Sequence, residues 1–328
     1  VTDGPTTPAA TTTLRIGTRG SALALAQTRA IAAEITGASG LEVELVPVTT
    51  HGDTSRESLS SLGGTGVFAS ALRESLLRGE CDLVVHSLKD LPTAPYAGLT
   101  VASVPAREDP RDVLCARDGL TLATLPRGAR IGTGSPRRRA QILAERPDLD
   151  VVDIRGNIDT RLSRVTAGDL DAVVLAAAGL ERIDRIDAAT EHLELDRWPT
   201  APGQGALALE IRTEDAETHS VVGRAVEAVD DPFTHAAVLA ERGVLAALEA
   251  GCAAPIGAWA TVTSGRLALT AMVYRPDGTQ RMAASHELDT AGLDLAQLGA
   301  SASALSGPVS RELLDAGAAD LAPLGGTR

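Results

Sequence analysis

Five arginines fall within twenty-five residues of this 328-residue chain, in Ser135-Pro136-Arg137-Arg138-Arg139 and Arg155-Gly156-Asn157-Ile158-Asp159-Thr160-Arg161. Their background is acidic: 43 Asp and Glu stand against 30 Lys and Arg, a formal net charge of −13. Concentrated positive charge in an acidic whole marks a local site for a small polyanion, not a surface for nucleic acid or anionic membrane. Arginine suits that task. Its planar fork grips a carboxylate or phosphate through two hydrogen bonds and stays charged at any working pH. One arginine alone reads as a solvated helix charge paired with a nearby acid; the grouping argues for a ligand.

Other segments carry chemistry of their own. Gly132-Thr133-Gly134-Ser135 reads as a turn from strand into helix, where backbone N–H groups and the helix N-terminus favour an anion. It lacks the third glycine of GxGxxG and the lysine of a phosphate loop, so nucleotide binding has little support, and the glycines alone read equally as a tight turn. Thr18-Arg19-Gly20-Ser21 repeats the arrangement at the first strand–helix turn, which points to paired anion sites facing one cleft. In Val85-His86-Ser87-Leu88-Lys89-Asp90-Leu91, Asp90 reads two ways. It is either half of a surface pair with Lys89, worth under ~1 kcal/mol, or a strand-end carboxylate for proton transfer or cation stabilisation.

Three cysteines, Cys81, Cys115 and Cys252, form no CxxC pair, and the six histidines show no HExxH spacing. Neither a disulfide framework nor a metal site is expected, and a reducing cytoplasm is the natural location. Cys81 reads as inert packing. Cys252, in Ala250-Gly251-Cys252-Ala253-Ala254-Pro255, reads evenly as packing or as an exposable thiol open to covalent substitution.

The elements that must position these residues follow from periodicity and capping. Residues 14–17 read as a strand, Ser21 as the cap of a helix to about 35, and residues 41–48 as a strand. Residues 54–66 read as a mobile loop, followed by a helix over 67–77 and a buried strand over 82–86. The pattern restarts after Pro110: a strand over 130–132, a helix from Ser135-Pro136 through 145, and a strand over 151–154 ending at Arg155. Asp159 then caps a helix, and 172–176 form a strand. This order predicts α/β, mostly parallel, doubly wound sheets with ligands at the carboxyl ends of the strands. The last hundred residues differ. Helix 232–250, strands over 257–262, 266–274 and 281–288, and a helix over 293–314 predict a small α+β domain with an antiparallel sheet. Six aromatic residues leave little for a nucleobase-stacking platform, and no apolar run reaches the ~20 residues of a membrane span. Residues 1–13 lack the features of a signal peptide and read as a disordered extension.

Taken in order, several segments resemble the motifs of the porphobilinogen deaminase (hydroxymethylbilane synthase) family: Arg15-Ile16-Gly17-Thr18-Arg19-Gly20-Ser21, His86-Ser87-Leu88-Lys89-Asp90, residues 132–138, residues 155–161, Gly179-Leu180-Glu181-Arg182 and Pro202-Gly203-Gln204-Gly205-Ala206. Gly251-Cys252 falls at the family's cofactor-attachment position, and the resemblance runs from about residue 14 to 257. It implies two domains like those of periplasmic binding proteins, residues 14–107 with 204–226 and residues 108–203, and a third α+β domain over 227–328. The chain would cross back to the first domain near residues 206–221.

The resemblance further implies a dipyrromethane cofactor held by a thioether at Cys252. Four porphobilinogen units join it head to tail, each losing ammonia, and hydroxymethylbilane is released. Each pyrrole bears an acetate and a propionate, so a growing chain accumulates carboxylates, and a charge-assisted hydrogen bond contributes ~1.5–3 kcal/mol. Asp90 is then the catalytic residue, stabilising the azafulvene-like cation left by ammonia. Lys89, Ser87, Ser135, Arg137 and Arg138 fall to the cofactor, and Arg19, Ser21, Arg155, Arg161 and Arg182 to substrate carboxylates. Arg139 lies outside the family's usual pair. Family members often carry lysines flanking the Gly-Gly of a mobile loop, where this chain has Ser61 and Thr65; Phe68 nearby reads first as core packing. A monomer without nucleic-acid or membrane partners is the state usual for the family. A non-catalytic anion-binding protein on the same two-lobed fold is the competing reading, and it needs neither Cys252 nor Asp90.

Overall fold

The structure, a computed structural model, describes residues 13–48, 67–251, 254–322 and 324. Of the extension expected over residues 1–13, residues 1–12 lie outside the described residues, as do the loop expected over 54–66 with Ser61 and Thr65, Cys252 and the Phe68 side chain.

The chain opens with β1 (Leu14–Arg19), α1 (Ala22–Ser39), β2 (Val43–Val48), α2 (Val67–Leu77), β3 (Leu83–Ser87) and β4 (Leu99–Ser103). Ser21 caps α1 by accepting from the Ala24 amide. Residues 104–111 then cross to a second body. It contains β5 (Asp112–Ala116), β6 (Arg130–Gly132), α3 (Pro136–Glu145), β7 (Asp150–Val152), α4 (Ile158–Thr166), β8 (Ala172–Ala176), α5 (Ala177–Glu181) and β9 (Glu191–Leu193). Ser135 caps α3 with Pro136 at its first turn, as the sequence predicts. Two details differ. Asn157, not Asp159, caps α4, because its side chain accepts from the Thr160 amide while Asp159 sits in the first turn. β7 stops at Val152, so Arg155 lies in the loop beyond the strand.

Residues 194–206 cross back, and β10 (Leu207–Arg212), α6 (Thr213–Glu217) and α7 (Val221–Glu227) rejoin the first body. β10 inserts between β3 and β4 and runs antiparallel to both, giving the order β2-β1-β3-β10-β4. The second sheet has the matching order β7-β6-β8-β5-β9, with β5 antiparallel to β8 and β9. The odd strand of each sheet is therefore the one that directly follows a crossing; the other four run parallel, as doubly wound sheets require. Apolar faces close each lobe: Ile16, Ile31, Leu83 and Leu209 in the first, Leu114, Ile131, Ile142 and Val174 in the second.

The third body packs α8 (Pro232–Ala247) and α9 (Leu295–Asp315) on the antiparallel sheet β11 (Ile256–Thr263), β12 (Arg266–Tyr274) and β13 (Arg281–Asp289), with α10 (Ala318–Leu321) at the end. The two crossings lie against each other. Gly205 has φ +85°, and a Cβ there would fall 2.6 Å from the Glu108 carbonyl oxygen of the other crossing. Gly205→Ala should therefore lower stability by about 1–3 kcal/mol, read as an earlier midpoint in urea unfolding. An unchanged midpoint would show that the crossings part freely.

Candidate active site

The first wall of the cleft is built at the carboxyl ends of β1 and β3. β1 ends at Arg19, β3 ends at Ser87, and a single 3₁₀ turn over Leu88–Asp90 follows. Gln27, buried on α1, reaches across to the Ser87 hydroxyl at 3.1 Å. Arg19, Gln27, His86, Ser87 and Asp90 line one pocket, with the Asp90 carboxylate exposed. Sequence reasoning missed Gln27. Its signal was a long polar side chain inside an Ala/Leu helix, two turns beyond the capping serine. Ser21 is occupied with its cap.

The opposite wall is the turn from β6 into α3. A Cβ on Gly132 would meet Leu170 and Ile154 at under 3 Å, and one on Gly134 would meet the Ile154 carbonyl at 2.7 Å. Close packing therefore accounts for both glycines. Arg137 and Arg138, at 3% and 6% exposure, turn inward onto Asp112, the first residue of β5, which is fully buried. Arg137 Nη1 donates to Asp112 Oδ2 at 2.8 Å, and Arg138 donates to Oδ1 through Nη2 at 2.7 Å and Nε at 3.1 Å. Trp198 Nε1 and Gln204 Nε2 complete the shell at 2.9 and 2.8 Å. Burial alone would raise the Asp112 pKa, but the two guanidiniums hold it far below the usual carboxylate range. Sequence reasoning missed Asp112.

Gln204 joins the walls. Its amide donates to Pro110 O and Asp112, while its carbonyl accepts from Lys89 Nζ at 3.3 Å and from Arg138 at 3.5 Å. Burial, then the Arg138 charge, draws the Lys89 ammonium down to about 8. Arg182 braces the crossings. Its Nη2 donates to Gly205 O at 2.8 Å, and its Nε lies 2.6 Å from Glu108 Oε2 as an ion pair without an aligned hydrogen bond. Arg107 donates to Gln204 O and, through both terminal nitrogens, to buried Glu241 of α8, which also accepts from the Gly203 and Ala260 amides. The third body is thereby fixed to the crossings.

Two of the remaining arginines stay available on the second wall. Arg155 is exposed and makes no ion pair among the described residues, and Arg161 donates only to Gly156 O at 2.9 Å. Burial, then repulsion from Arg138 and Arg155, lowers Arg161 to about 10, with the Asp153 and Asp90 charges acting the other way. Arg139 donates to Val151 O instead. Cys252 falls between Gly251, which is exposed, and Ala254, which donates to Gly251 O at the approach to β11.

Among the described residues Asp112 is the one carboxylate paired with both Arg137 and Arg138, so its removal leaves two guanidiniums short of charge. Asp112→Ala should cost about 3–5 kcal/mol in denaturant unfolding. A variant as stable as the parent would show that the arginines are anchored elsewhere.

The model of the porphobilinogen deaminase dipyromethane cofactor binding domain matches residues 14–220, and that of the porphobilinogen deaminase C-terminal domain matches residues 235–304. The second match carries the likeness well past residue 257. The porphobilinogen deaminase of Leifsonia xyli subsp. xyli is 63% identical over 315 residues, 96% of each chain. That of Thermobifida fusca is 52% identical over 310 residues, 94% of this chain and 95% of its own. A periplasmic substrate-binding protein of an ABC transporter from Coxiella burnetii aligns with 67% of this chain and 92% of its own, at TM-score 0.41 and 16% identity, too distant to carry functional weight.

The site suits a dipyrromethane, whose rings bear several carboxylates. Two buried guanidiniums share one Asp112 carboxylate, and Arg138 and Arg155 both repel Arg161, so an anionic group entering near Arg161 relieves charge already present. Among the described residues no cluster of His, Cys, Asp and Glu could hold a metal. On the span and identity of these matches, the chain belongs to the porphobilinogen deaminase family, transferases that use a dipyrromethane primer to join four porphobilinogen molecules head to tail, with loss of ammonia, into hydroxymethylbilane.

Proposed function

We propose that the cleft between the two lobes is where this polymerisation occurs, with Asp90 as its catalytic residue. The supporting observation is that Asp90 lines one pocket with Arg19, Gln27, His86 and Ser87 at the carboxyl ends of β1 and β3. Cys252 is the attachment point of the dipyrromethane, through a thioether. When bound, that group supplies a covalent primer whose terminal pyrrole carbon is the nucleophile. Lys89, Ser87, Ser135 and Arg138 hold its carboxylates, and Arg137, enclosed around Asp112, contributes charge from behind them. Arg19, Arg155 and Arg161 hold the acetate and propionate of incoming porphobilinogen, with Ser21 at the helix end beside Arg19. Arg182 joins them by exchanging Glu108 for a substrate carboxylate.

When ammonia leaves porphobilinogen, the C–N bond pair departs with nitrogen and the methylene carbon becomes cationic, conjugated with its pyrrole ring. A carboxylate 4 Å from that cation stabilises it by about 4 kcal/mol at an effective dielectric near 20. Asp90 is exposed in the open cleft, so the effect grows as substrate displaces water. The proposed units are residues 14–107 with 204–226, 108–203 and 227–328, acting as a monomer in the cytoplasm without nucleic-acid or membrane partners. No helix among the described residues is long and apolar enough to cross a membrane.

Intact mass of the active protein, with peptide mapping, should show two linked pyrrole units on Cys252; an unmodified thiol in active protein would overturn the attachment. Asp90→Ala should bind porphobilinogen with little change in KM while kcat falls about 10²–10³-fold. Turnover near that of the parent would remove Asp90 from the chemistry.

A further inference from the structure

One buried titratable cluster lies beside the pocket and takes no part in the roles above. Arg73 of α2, His86 of β3 and Glu210 of β10 are 6%, 8% and 2% exposed. Glu210 accepts from Arg73 through both carboxylate oxygens, Nε to Oε2 at 2.9 Å and Nη2 to Oε1 at 2.7 Å. His86 Nε2 lies 3.1 Å from Glu210 Oε2, and the Arg73 guanidinium stacks 4.7 Å over the Tyr96 ring. Burial opposes ionisation of Glu210, but its hydrogen bonds from His86 and Arg73 hold its pKa below the usual value.

An ionised carboxylate only accepts hydrogen bonds, so His86 Nε2 must carry the hydrogen. That contact fixes both the tautomer and the plane of the ring. The register explains how it forms: β10 sets Ala208 opposite His86 and Glu210 opposite Val84, so Glu210 and His86 share a face two residues apart. A buried ion pair stabilises little compared with an apolar substitute, and its best-attested use is to select one geometry. Here the selected geometry is that of His86, which lines the pocket together with Arg19 and Asp90, immediately before the Ser87-Leu88-Lys89-Asp90 turn.

We propose that His86 is a positioning residue for Asp90: Glu210 and Arg73 lock its imidazole, and the locked ring sets the end of β3 and so the 3₁₀ turn after it, which carries Lys89 and Asp90. The proposal rests on the reading of Asp90 as the catalytic carboxylate. Two measurements on the cofactor-loaded protein test it. In ¹⁵N NMR, His86 should show the Nε2–H form at neutral pH, and Glu210→Gln should weaken that preference; a dominant Nδ1–H form would overturn the proposal without reference to activity.

In steady-state kinetics, His86→Ala should lower kcat about 10- to 100-fold with little change in KM. His86→Gln, whose amide can still donate to Glu210, should restore kcat to within about threefold and keep the parental pH profile. An alanine variant as active as the parent would refute the role. A glutamine variant as slow as alanine, with one limb of the pH profile lost, would also refute it by making His86 a direct proton carrier. Should the alanine variant fail to fold, the tautomer and the glutamine variant still decide. Failure of the Asp90 reading itself would appear separately, as an active Asp90→Ala.

Discussion

A single buried carboxylate organises this molecule. Asp112 begins the strand that follows the first crossing, and it gathers two guanidiniums, an indole and a glutamine amide around two oxygens. The two guanidiniums come from the first turn of α3, and the indole and the amide from the return crossing. The arginines cannot be buried without it, since an uncompensated guanidinium inside a protein costs several kcal/mol. Nor is one carboxylate enough to balance both. The resulting excess of positive charge, held rigidly at the base of α3, is what makes the cleft suited to a polycarboxylate before any ligand arrives.

From that anchor, connections run outward through Gln204. The same side chain touches Asp112, Arg138 and Lys89, and its backbone carbonyl accepts from Arg107, which is held by Glu241 of the third body. Three bodies are thus tied at one short segment. Ligand charge entering near Arg138 acts on the same network that joins the lobes, so binding and lobe geometry share their residues.

Local features were legible in the sequence and non-local ones were not. The cap and first turn of α3 follow from Ser135 and Pro136 alone, and the helix and strand order of both lobes follows from periodicity. The inward turn of Arg137 and Arg138 does not, because a first-turn arginine looks the same whether it faces water or a carboxylate. Asp112 had no local signal: its partners lie 25, 26, 86 and 92 residues away. Asn157 displaced Asp159 as a cap because two competent side chains stand two residues apart and only backbone geometry chooses. The return of β10 to the first sheet came from family resemblance, since nothing in its own composition says which sheet it completes.

The placement of β10 also bears on how the chain is made. The second lobe is encoded without interruption, and its last strand, β9, ends at Leu193. The first sheet, begun at Leu14, lacks the strand between β3 and β4 until Leu207–Arg212 have been synthesised. On the ribosome the lobe that starts second is therefore the first to have all its strands, while the earlier one waits with two open strand edges. The crossing that carries Gln204 is, during synthesis, the last joint between the two lobes to close.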